Sequence, residues 1–533
     1  MSRLTENDLV ELVRLKEQEG LSYRGMAKVM GVEVTAVGNF FRKTTHVEFW
    51  ESHGHKPIAG GTTNRPVSKR KKLTGKRFIF GHVQNNTHIH GAFMQTLKHF
   101  MKDMDAELIL GSCTYAKSGH RRECDGNTWF DPKIREYIRN EQLQVCDGLV
   151  FCGELNILPT AKTPLNQYHS YTGTDSMIMP HTKLQIAPGI RLPSNDSKFL
   201  YTTGALTQSN YIQKSAGQQA EYDHVFSVLY IEIDDDGDWF PYHLSAESDT
   251  GCFYHLNKYY TPKGCDGKFH RLAGLNPGDI HEDKLKIPIR KMMWLDKDSL
   301  VQTLKPEVVM ANDTYDHGRR NSHNVDDPYH MYRAYVKGKE CVKEEITGSV
   351  DTLREITDTG SKVVVVESNH DLQVERWLRT GNYKTDPVNA VFFLELQLCN
   401  YKRMSRGEKL HTFRSACEIV NGGELDNVRF LTTDESFMVA GIQCGMHGDK
   451  GINGARGSVP SLAKLGVKTN TGHIHSAYVF NGAWAAGALM TQQDSGYAKG
   501  ITTWSISHVG TYQNGKRVML VCKNNKWQPR YDV

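Results

Sequence analysis

The chain has 533 residues, of which 39% are hydrophobic and 23% are charged, and its formal net charge is +5. This composition is typical of a globular protein, and the length predicts two or three domains. No apolar stretch is long enough to cross a bilayer and the first residues lack an apolar signal core, so we expect neither a membrane span nor secretion. The 11 cysteines include no C-x-x-C pair, which favours reduced thiols in the cytoplasm.

Residues 1–50 are predicted to form a small helix-turn-helix unit. Thr5 can cap a first helix. Ala27, Gly31 and Val37 match the small residue, the turn glycine and the buried aliphatic residue of a helix-turn-helix. Two basic residues near the end of the third helix are predicted to contact DNA phosphates: Arg42 and Lys43. The alternative is a plain three-helix packing or oligomerisation module.

Residues 51–75 are predicted to be a flexible basic linker. Between residues 65 and 77 there are seven basic residues and no acidic one. Such a run is either a solvated linker or a surface for the phosphate backbone of a nucleic acid. The predicted DNA contacts in this run are Lys69, Arg70, Lys71 and Lys72.

Residues 76–270 are predicted to be an α/β domain whose role the sequence does not indicate. Apolar runs predict strands at 78–80, 108–110, 148–151 and 225–231, with a helix over 91–101. His88-Ile89-His90 superficially resembles a metal motif, but no carboxylate precedes it, so we predict a turn or a helix start. Asp234-Asp235-Asp236-Gly237-Asp238 lacks the closing Glu of a calcium loop and is predicted to be an acidic hairpin turn.

The predicted catalytic part, residues 271–533, carries five short polar motifs, and most of them follow an apolar run. A single G-H-x-H or N-H-D is usually a surface turn, but five clusters rich in Asp, Asn and His indicate a site for metal ions. The motifs are Gly278-Asp279-Ile280-His281, Asn312-Asp313-Thr314-Tyr315-Asp316, Ser368-Asn369-His370-Asp371, Gly445-Met446-His447-Gly448 and Gly472-His473-Ile474-His475.

This ordered set resembles the calcineurin-like metallophosphoesterase superfamily. The resemblance implies two facing mixed β-sheets flanked by helices, with two divalent ions at the strand ends. Mn²⁺ is the first choice of metal, with Mg²⁺, Fe²⁺ or Zn²⁺ as alternatives. It further implies that one ion is bound by Asp279, His281 and His475, the other by Asn369, His447 and His473, and both by Asp313.

The resemblance also implies roles for residues that do not bind metal. His370 would be the general acid or phosphate-contacting imidazole, oriented by Asp316. Residues that follow the second motif are predicted to contact the substrate phosphate: Arg319, Arg320 and His323. The sequence departs from the family pattern at three positions, where Asn312 and Ser368 replace Gly and His317 replaces Arg, which puts loop geometry and substrate fit in doubt.

These observations predict a metal-dependent phosphodiesterase, and the helix-turn-helix pattern and basic run favour DNA as its substrate. The architecture resembles the nuclease branch with SbcD-type enzymes and, in general character, tailed-phage DNases, which would act in the host cytoplasm. The alternative is a phosphatase or nucleotide phosphodiesterase whose N-terminal helices mediate assembly. A third hypothesis, a DNA-binding regulator with a degraded metal fold, is disfavoured by seven intact ligand positions. Self-association of the chain is left open.

Overall fold

The computed structural model describes residues 5–17, 23–33, 35–37, 40, 70–114 and 129–531. The chain divides into two compact units, Met1–Lys69 and Arg70–Val533. In the described part, no helix combines the length and the apolar content that crossing a bilayer requires.

The first unit contains helix α1 (Glu6–Glu17), helix α2 (Tyr23–Met30) and a helical turn at 35–37. The predicted cap is confirmed, since the Thr5 hydroxyl accepts a hydrogen bond from Asp8 N at 3.3 Å. Gly31 has a φ of 66°, a left-handed conformation that glycine adopts without strain, and it turns the chain after α2. Ala27 and Val37 share one buried cluster with Leu12, Val13 and Met26, and the helix-turn-helix assignment stays a prediction. Arg42 and Lys43 lie outside the described residues.

The second unit is an α/β structure with several mixed sheets, which confirms the predicted class. Its helices are α3 (Gly91–Met104), α4 (Ser215–Tyr222), α5 (Ile287–Arg290), α6 (Leu300–Leu304), α7 (Pro328–Val336), α8 (Val342–Thr357), α9 (Asp371–Thr380), α10 (Ala390–Ser405), α11 (Thr412–Asn421), α12 (Val459–Leu462) and α13 (Gln492–Ser495). Its strands are β1 (Lys71–Lys72), β2 (Arg77–Gln84), β3 (Glu107–Cys113), β4 (Gln142–Cys146), β5 (Leu149–Cys152), β6 (Ser176–Met179), β7 (Ile186–Gly189), β8 (Lys198–Thr202), β9 (Ser227–Ile233), β10 (Trp239–Ser245), β11 (Phe253–His255), β12 (Lys258–Thr261), β13 (Gly264–Cys265), β14 (Gly274–Asn276), β15 (Val308–Asn312), β16 (Lys362–Val366), β17 (Val428–Leu431), β18 (Met438–Val439), β19 (Ile442–Gln443), β20 (Thr469–Thr471), β21 (Tyr478–Phe480), β22 (Ala483–Ala485), β23 (Ser507–Thr511) and β24 (Arg517–Val521).

Two of the sheets position the motifs. A six-stranded sheet has the order β17-β16-β15-β14-β23-β24, and an eleven-stranded sheet has the order β1-β4-β5-β6-β8-β7-β21-β22-β20-β19-β18. Met310, Val364 and Leu431 of the first sheet pack against Val439 and Ile442 of the second, so the two sheets face each other. On its other face the six-stranded sheet packs against α8, α9 and α11. A four-stranded sheet, β10-β9-β2-β3, also packs on the eleven-stranded one.

The parallel strands of the six-stranded sheet explain why the motifs meet. β14, β15, β16 and β17 run parallel, so their carboxyl ends lie at one edge. Val308–Asn312 is buried throughout, and in Lys362–Val366 only the first residue is exposed, as expected for parallel strands that are covered on both faces. The loops that carry three of the motifs therefore leave the same edge of this sheet.

The elements predicted between residues 76 and 270 are confirmed by β2, β3, β5, β9 and α3. His90 caps α3 by accepting a hydrogen bond from Phe93 N, as the predicted helix start requires. The acidic turn between β9 and β10 is confirmed as well, and its carboxylates bind the ammonium of Lys526 at 2.5–2.9 Å. Strands from both sides of residue 270 share one sheet, because β7 pairs with β21 at Ile186 and Val479. The division at residue 270 stays a prediction.

The end of the predicted basic linker belongs to the second unit. Lys71 and Lys72 form β1, which pairs in parallel with β4. The guanidinium of Arg70 binds Asp175 at 2.8 Å and the side chains of Gln142 and Gln144 at 2.9 and 3.0 Å. These acceptors hold residues 70–72 at the sheet edge, so these residues do not behave as a free linker.

Candidate metal centre

The five motifs converge on one buried site between the two facing sheets. Asp279 and His281 follow β14, Asp313 follows β15 and Asn369 follows β16, while His447, His473 and His475 lie on loops that follow β19 and β20. A bridge between Asp279 and Ala488 and a hydrogen bond from His473 N to the Asp279 carboxylate, at 2.7 Å, join the loops of the two sheets.

Four of the predicted ligands form a single cluster. The ligand atoms of Asp279, His281, Asp313 and His475 all lie within 4.8 Å of one another, and all four residues are buried. The Nε2 of His475 is 3.1 Å from the Nε2 of His281 and 3.1 Å from Asp279 Oδ2, and the Nε2 of His281 is 3.7 Å from Asp313 Oδ2. Donors bonded to one divalent ion at about 2.0–2.2 Å have separations of this size, so the cluster could hold a metal ion.

His281 is oriented by a carboxylate. Its Nδ1 donates a hydrogen bond to Asp316 Oδ1 at 2.7 Å, which leaves Nε2 as the atom facing the cluster. Such a carboxylate–histidine pair fixes the tautomer and ring orientation of a metal ligand. Asp316 is therefore closer to His281 than to His370, the residue that it was predicted to orient.

Two more of the predicted ligands, His447 and His473, also lie close to Asp313. The Nε2 of His447 is 3.3 Å from Asp313 Oδ2, and the rings of His447 and His473 have centroids 5.2 Å apart. The Nδ1 of His447 lies 3.3 Å from Asn312 Oδ1, which can accept its proton and so direct Nε2 towards Asp313. Asn312, which departs from the family pattern, thus occupies an orienting position.

The backbone at the cluster is strained. Four of the predicted ligands have a positive φ: His281 at 47°, Asp313 at 43°, His473 at 70° and His475 at 55°. Residues other than glycine adopt this left-handed conformation at a cost of about 1–3 kcal/mol, and only where the surroundings enforce it. The surrounding fold therefore holds these four residues in an unfavourable backbone conformation, in which their side chains lie at the candidate metal centre.

The charges of the cluster favour a cation. Although burial opposes it, Asp316, Asp313 and Asp279 raise the pKa of His281 to about 9. Burial also opposes the protonation of His447, but Asp313 raises the pKa of this imidazole to about 10. Burial favours the neutral form of Asp313, but His447, His370 and His281 hold the pKa of this carboxyl well below its usual value. Burial and the charge of His447 lower the pKa of His473, which keeps this imidazole neutral.

Unpaired ligand atoms show that the residues fit a metal. Within the described residues, no hydrogen-bond partner exists for four buried atoms: Asp279 Oδ1, Asp313 Oδ1, Asn369 Oδ1 and His447 Nε2. Leaving such atoms desolvated and unpaired is costly, and bound divalent ions would compensate all four. The donors are carboxylate and amide oxygens and imidazole nitrogens, which suit a divalent ion such as Mn²⁺.

His370 lies beside the cluster and is about one-fifth exposed at its side chain. Its Nδ1 is 3.3 Å from the carbonyl oxygen of Asp316 and 3.7 Å from that residue's carboxylate, and its ring centroid is 5.2 Å from that of His281. A carbonyl only accepts, so Nδ1 carries a proton and Nε2 remains available. The predicted role of His370 stays a prediction.

Two of the three residues predicted to contact the substrate phosphate, Arg319 and Arg320, have protein partners for their side chains. Arg320 is buried and binds Asp386 through two hydrogen bonds of 2.7 and 2.8 Å, and Arg319 binds Glu344 and the carbonyl of Cys341. His323 is exposed. Burial lowers the pKa of His317 to about 3, so this imidazole does not supply the charge of the Arg that it replaces.

Two further residues of the site, Lys284 and Glu345, lie outside the five sequence motifs. Lys284 Nζ is 3.8 Å from Asp316 Oδ2, and Glu345 accepts hydrogen bonds from Gly318 N at 2.7 Å and Arg319 N at 3.3 Å. Glu345 thereby fixes the start of the loop after the second motif. The sequence does not indicate this role, because Glu345 lies on α8, 27 residues beyond its partner Gly318.

The fold and the site define an α/β protein with a buried carboxylate–imidazole cluster that could hold a metal ion. The chain is 35% identical over 485 residues to "Protein A1" of Escherichia phage T5, a match that covers 89% of this chain and 86% of that protein. It therefore belongs to the family of that phage protein. No family model matches the chain. No solved structure matches it either.

Proposed function

We propose that this chain is a metal-dependent phosphodiesterase that hydrolyses DNA at a two-metal centre. The observation that carries the proposal is the buried cluster of Asp279, His281, Asp313 and His475, whose ligand atoms lie within 4.8 Å of one another. The loops that build it come from two facing mixed sheets, as in the metallophosphoesterase superfamily that the motifs resemble.

The seven predicted ligands divide around Asp313, which would be shared. One ion would be held by Asp279, His281 and His475, and the other by Asn369, His447 and His473. Bound there, two ions neutralise the charge of a phosphoryl group and lower the pKa of a bound water. Mn²⁺ is our first choice, with Mg²⁺, Fe²⁺ or Zn²⁺ as alternatives.

The other residues of the site orient groups and move a proton. Asp316 and Asn312 hold the Nδ1 protons of His281 and His447, so that both rings present Nε2 to the centre. His370 keeps its own Nδ1 proton on the carbonyl of Asp316. When Nε2 is protonated as well, the imidazolium would give its Nε2 proton to the leaving oxygen and remain as the neutral Nδ1–H imidazole.

DNA is favoured as the substrate by the first unit. Its buried Ala27 and Val37 and the turn at Gly31 match the helix-turn-helix pattern, which places a helix in the major groove of DNA. Arg70 forms an ion pair with Asp175, so it gives little support to DNA as the substrate. The alternative substrates are a phosphomonoester or a nucleotide, with the first unit serving assembly.

The activity is tested with plasmid and linear DNA and with p-nitrophenyl phosphate, in the presence of Mn²⁺. We expect wild-type protein to cut DNA and to hydrolyse the monoester far more slowly. Asp313→Asn should remove the activity, and Asp351→Asn, at an exposed position on α8, should retain it, which excludes a contaminating nuclease. Preference for the monoester would contradict the proposal and favour the phosphatase.

The role of the first unit is tested by deleting residues 1–69, which lie outside the second compact unit. DNA binding should weaken and its salt dependence should become shallower, because fewer counterions are released from the phosphates. Hydrolysis of bis(p-nitrophenyl) phosphate should persist. Equal affinity and equal salt slope in both forms would assign the first unit to assembly.

A further inference from the structure

An aromatic pair lies beside the candidate metal centre. The ring of Trp504 meets the ring of His475 edge to face, with centroids 4.2 Å apart. The ring of Tyr497 follows at 6.0 Å from that of Trp504, at an interplanar angle of 62°. Tyr497 is 56% exposed and Trp504 is half-buried, so both rings are accessible.

The two rings lie next to the carboxylate–imidazole cluster, because Trp504 contacts the predicted ligand His475 and Tyr497 contacts Trp504. Desolvation, together with the negative charges of Asp316, Asp313 and Asp279, raises the pKa of the Tyr497 phenol. The aromatic pair is therefore a neighbour of the site that would bind a phosphate.

Trp504 also lines a cavity of about 290 Å³. The lining combines apolar side chains, Phe199 and Met490, with amide side chains that can form hydrogen bonds, Asn195 and Gln492. This volume is just below the roughly 300 Å³ at which small-ligand pockets start, and none of the predicted metal ligands lines the cavity.

The backbone around Trp504 is held in place before any ligand arrives. Its carbonyl accepts hydrogen bonds from Arg191 Nη2 at 3.3 Å and from Ser197 Oγ at 3.2 Å, and its N–H donates to Thr502 Oγ1 at 3.1 Å. The next residue, Ser505, donates from its N–H to the carbonyl of His475 at 2.9 Å. The backbone of Trp504 is therefore fixed relative to a predicted metal ligand.

We infer that Trp504 and Tyr497 form a binding subsite for the nucleobase that flanks the scissile phosphate. A base presents a flat π-face on either side and stacks on aromatic side chains without sequence preference. A phosphoserine or phosphothreonine side chain offers no such group, so the aromatic pair favours a nucleic acid or nucleotide over these phosphoproteins. This inference rests on the proposed phosphodiesterase function and specifies its substrate class.

The first test compares two diesters that share a leaving group, thymidine 5′-(p-nitrophenyl phosphate) and methyl p-nitrophenyl phosphate. Trp504→Ala and Tyr497→Ala should each lower kcat/KM for the thymidine ester by about 10- to 100-fold, the range for loss of one stacked base. Both should leave the methyl ester within about twofold of wild type, and Trp504→Phe should recover most of the loss. Tyr222→Ala, at an exposed tyrosine of α4, is the matched control.

Equal losses for both esters would show that Trp504 only supports His475, and no loss for either would show that the rings do not touch the substrate. Each result would overturn the inference. The second test does not depend on catalysis: thymidine 5′-monophosphate should quench tryptophan fluorescence of the wild-type protein, and Trp504→Phe should remove that quenching.

The two tests separate the two claims. If wild-type protein hydrolyses neither ester, the phosphodiesterase proposal fails, and the quenching alone decides the subsite. If both esters are hydrolysed but thymidine 5′-monophosphate gives no quenching that depends on Trp504, the activity stands and the nucleobase subsite is refuted.

Discussion

Replacing Gly472 with alanine tests the geometry of the centre with a single methyl group. A Cβ at this position would lie 2.0 Å from Asp279 Oδ1, whereas real Cβ atoms essentially never show contacts under 3.0 Å. The carboxylate must therefore withdraw by about 1 Å, against the hydrogen bond of 2.7 Å that holds its other oxygen to His473 N. A misplacement of about 1 Å costs on the order of 10²-fold in rate.

We therefore expect Gly472→Ala to lower kcat/KM for bis(p-nitrophenyl) phosphate by about 100-fold and to weaken Mn²⁺ binding. The assay is hydrolysis under Mn²⁺ titration, with circular dichroism to verify folding. Gly91→Ala is the matched control, because a Cβ there meets nothing within 4 Å. A Gly472→Ala protein with wild-type rate and wild-type Mn²⁺ affinity would refute the assignment of Asp279 as a ligand.

Three further predictions concern individual side chains of the centre. Asp313→Ala and His473→Ala should each abolish hydrolysis in a protein that remains folded by circular dichroism; near wild-type turnover in Asp313→Ala would rule out a shared ligand. His370→Ala should lose about 10²- to 10⁴-fold in rate and keep its metal content, measured by elemental analysis, and a collapse of that content would show that His370 is a ligand. In the metal-free protein, His281 and His447 have pKa values raised to about 9 and 10. Their stabilising contribution is fully present below about pH 6.5 and is lost as the pH rises through those values, so the free energy of unfolding in EDTA should fall between pH 7 and pH 10. Mn²⁺ must displace the same protons, so its affinity should rise with pH in this range, and a flat affinity measured by calorimetry would contradict protonated ligands.

The sequence was sufficient to predict that the motif residues meet, because most of the motifs follow an apolar run. The run 363–366 and the run 308–310 became β16 and β15, and parallel strands bring the residues after them to one edge. The clustering of Asp279, His281, Asp313 and His475 agrees with that expectation.

The contacts around the ligands could not be predicted, since they join residues far apart in the chain. The resemblance assigned Asp316 to His370, 54 residues away, but Asp316 hydrogen-bonds most closely to His281, 35 residues away. Arg320 finds its partner 66 residues further on, at Asp386, and Arg70 finds Asp175 at a separation of 105 residues. The position after the second motif predicted a phosphate contact at Arg320, and the basic run predicted one at Arg70; neither pattern carries information about such distant acceptors.

The central claim is that seven residues bind two metal ions that share Asp313. Anomalous X-ray diffraction from crystals grown with Mn²⁺ tests it most directly. We predict two anomalous peaks about 3.5–4 Å apart. One should contact Asp279, His281, Asp313 and His475, and the other Asp313, Asn369, His447 and His473. A single peak, or peaks that do not share Asp313, would contradict the two-metal centre.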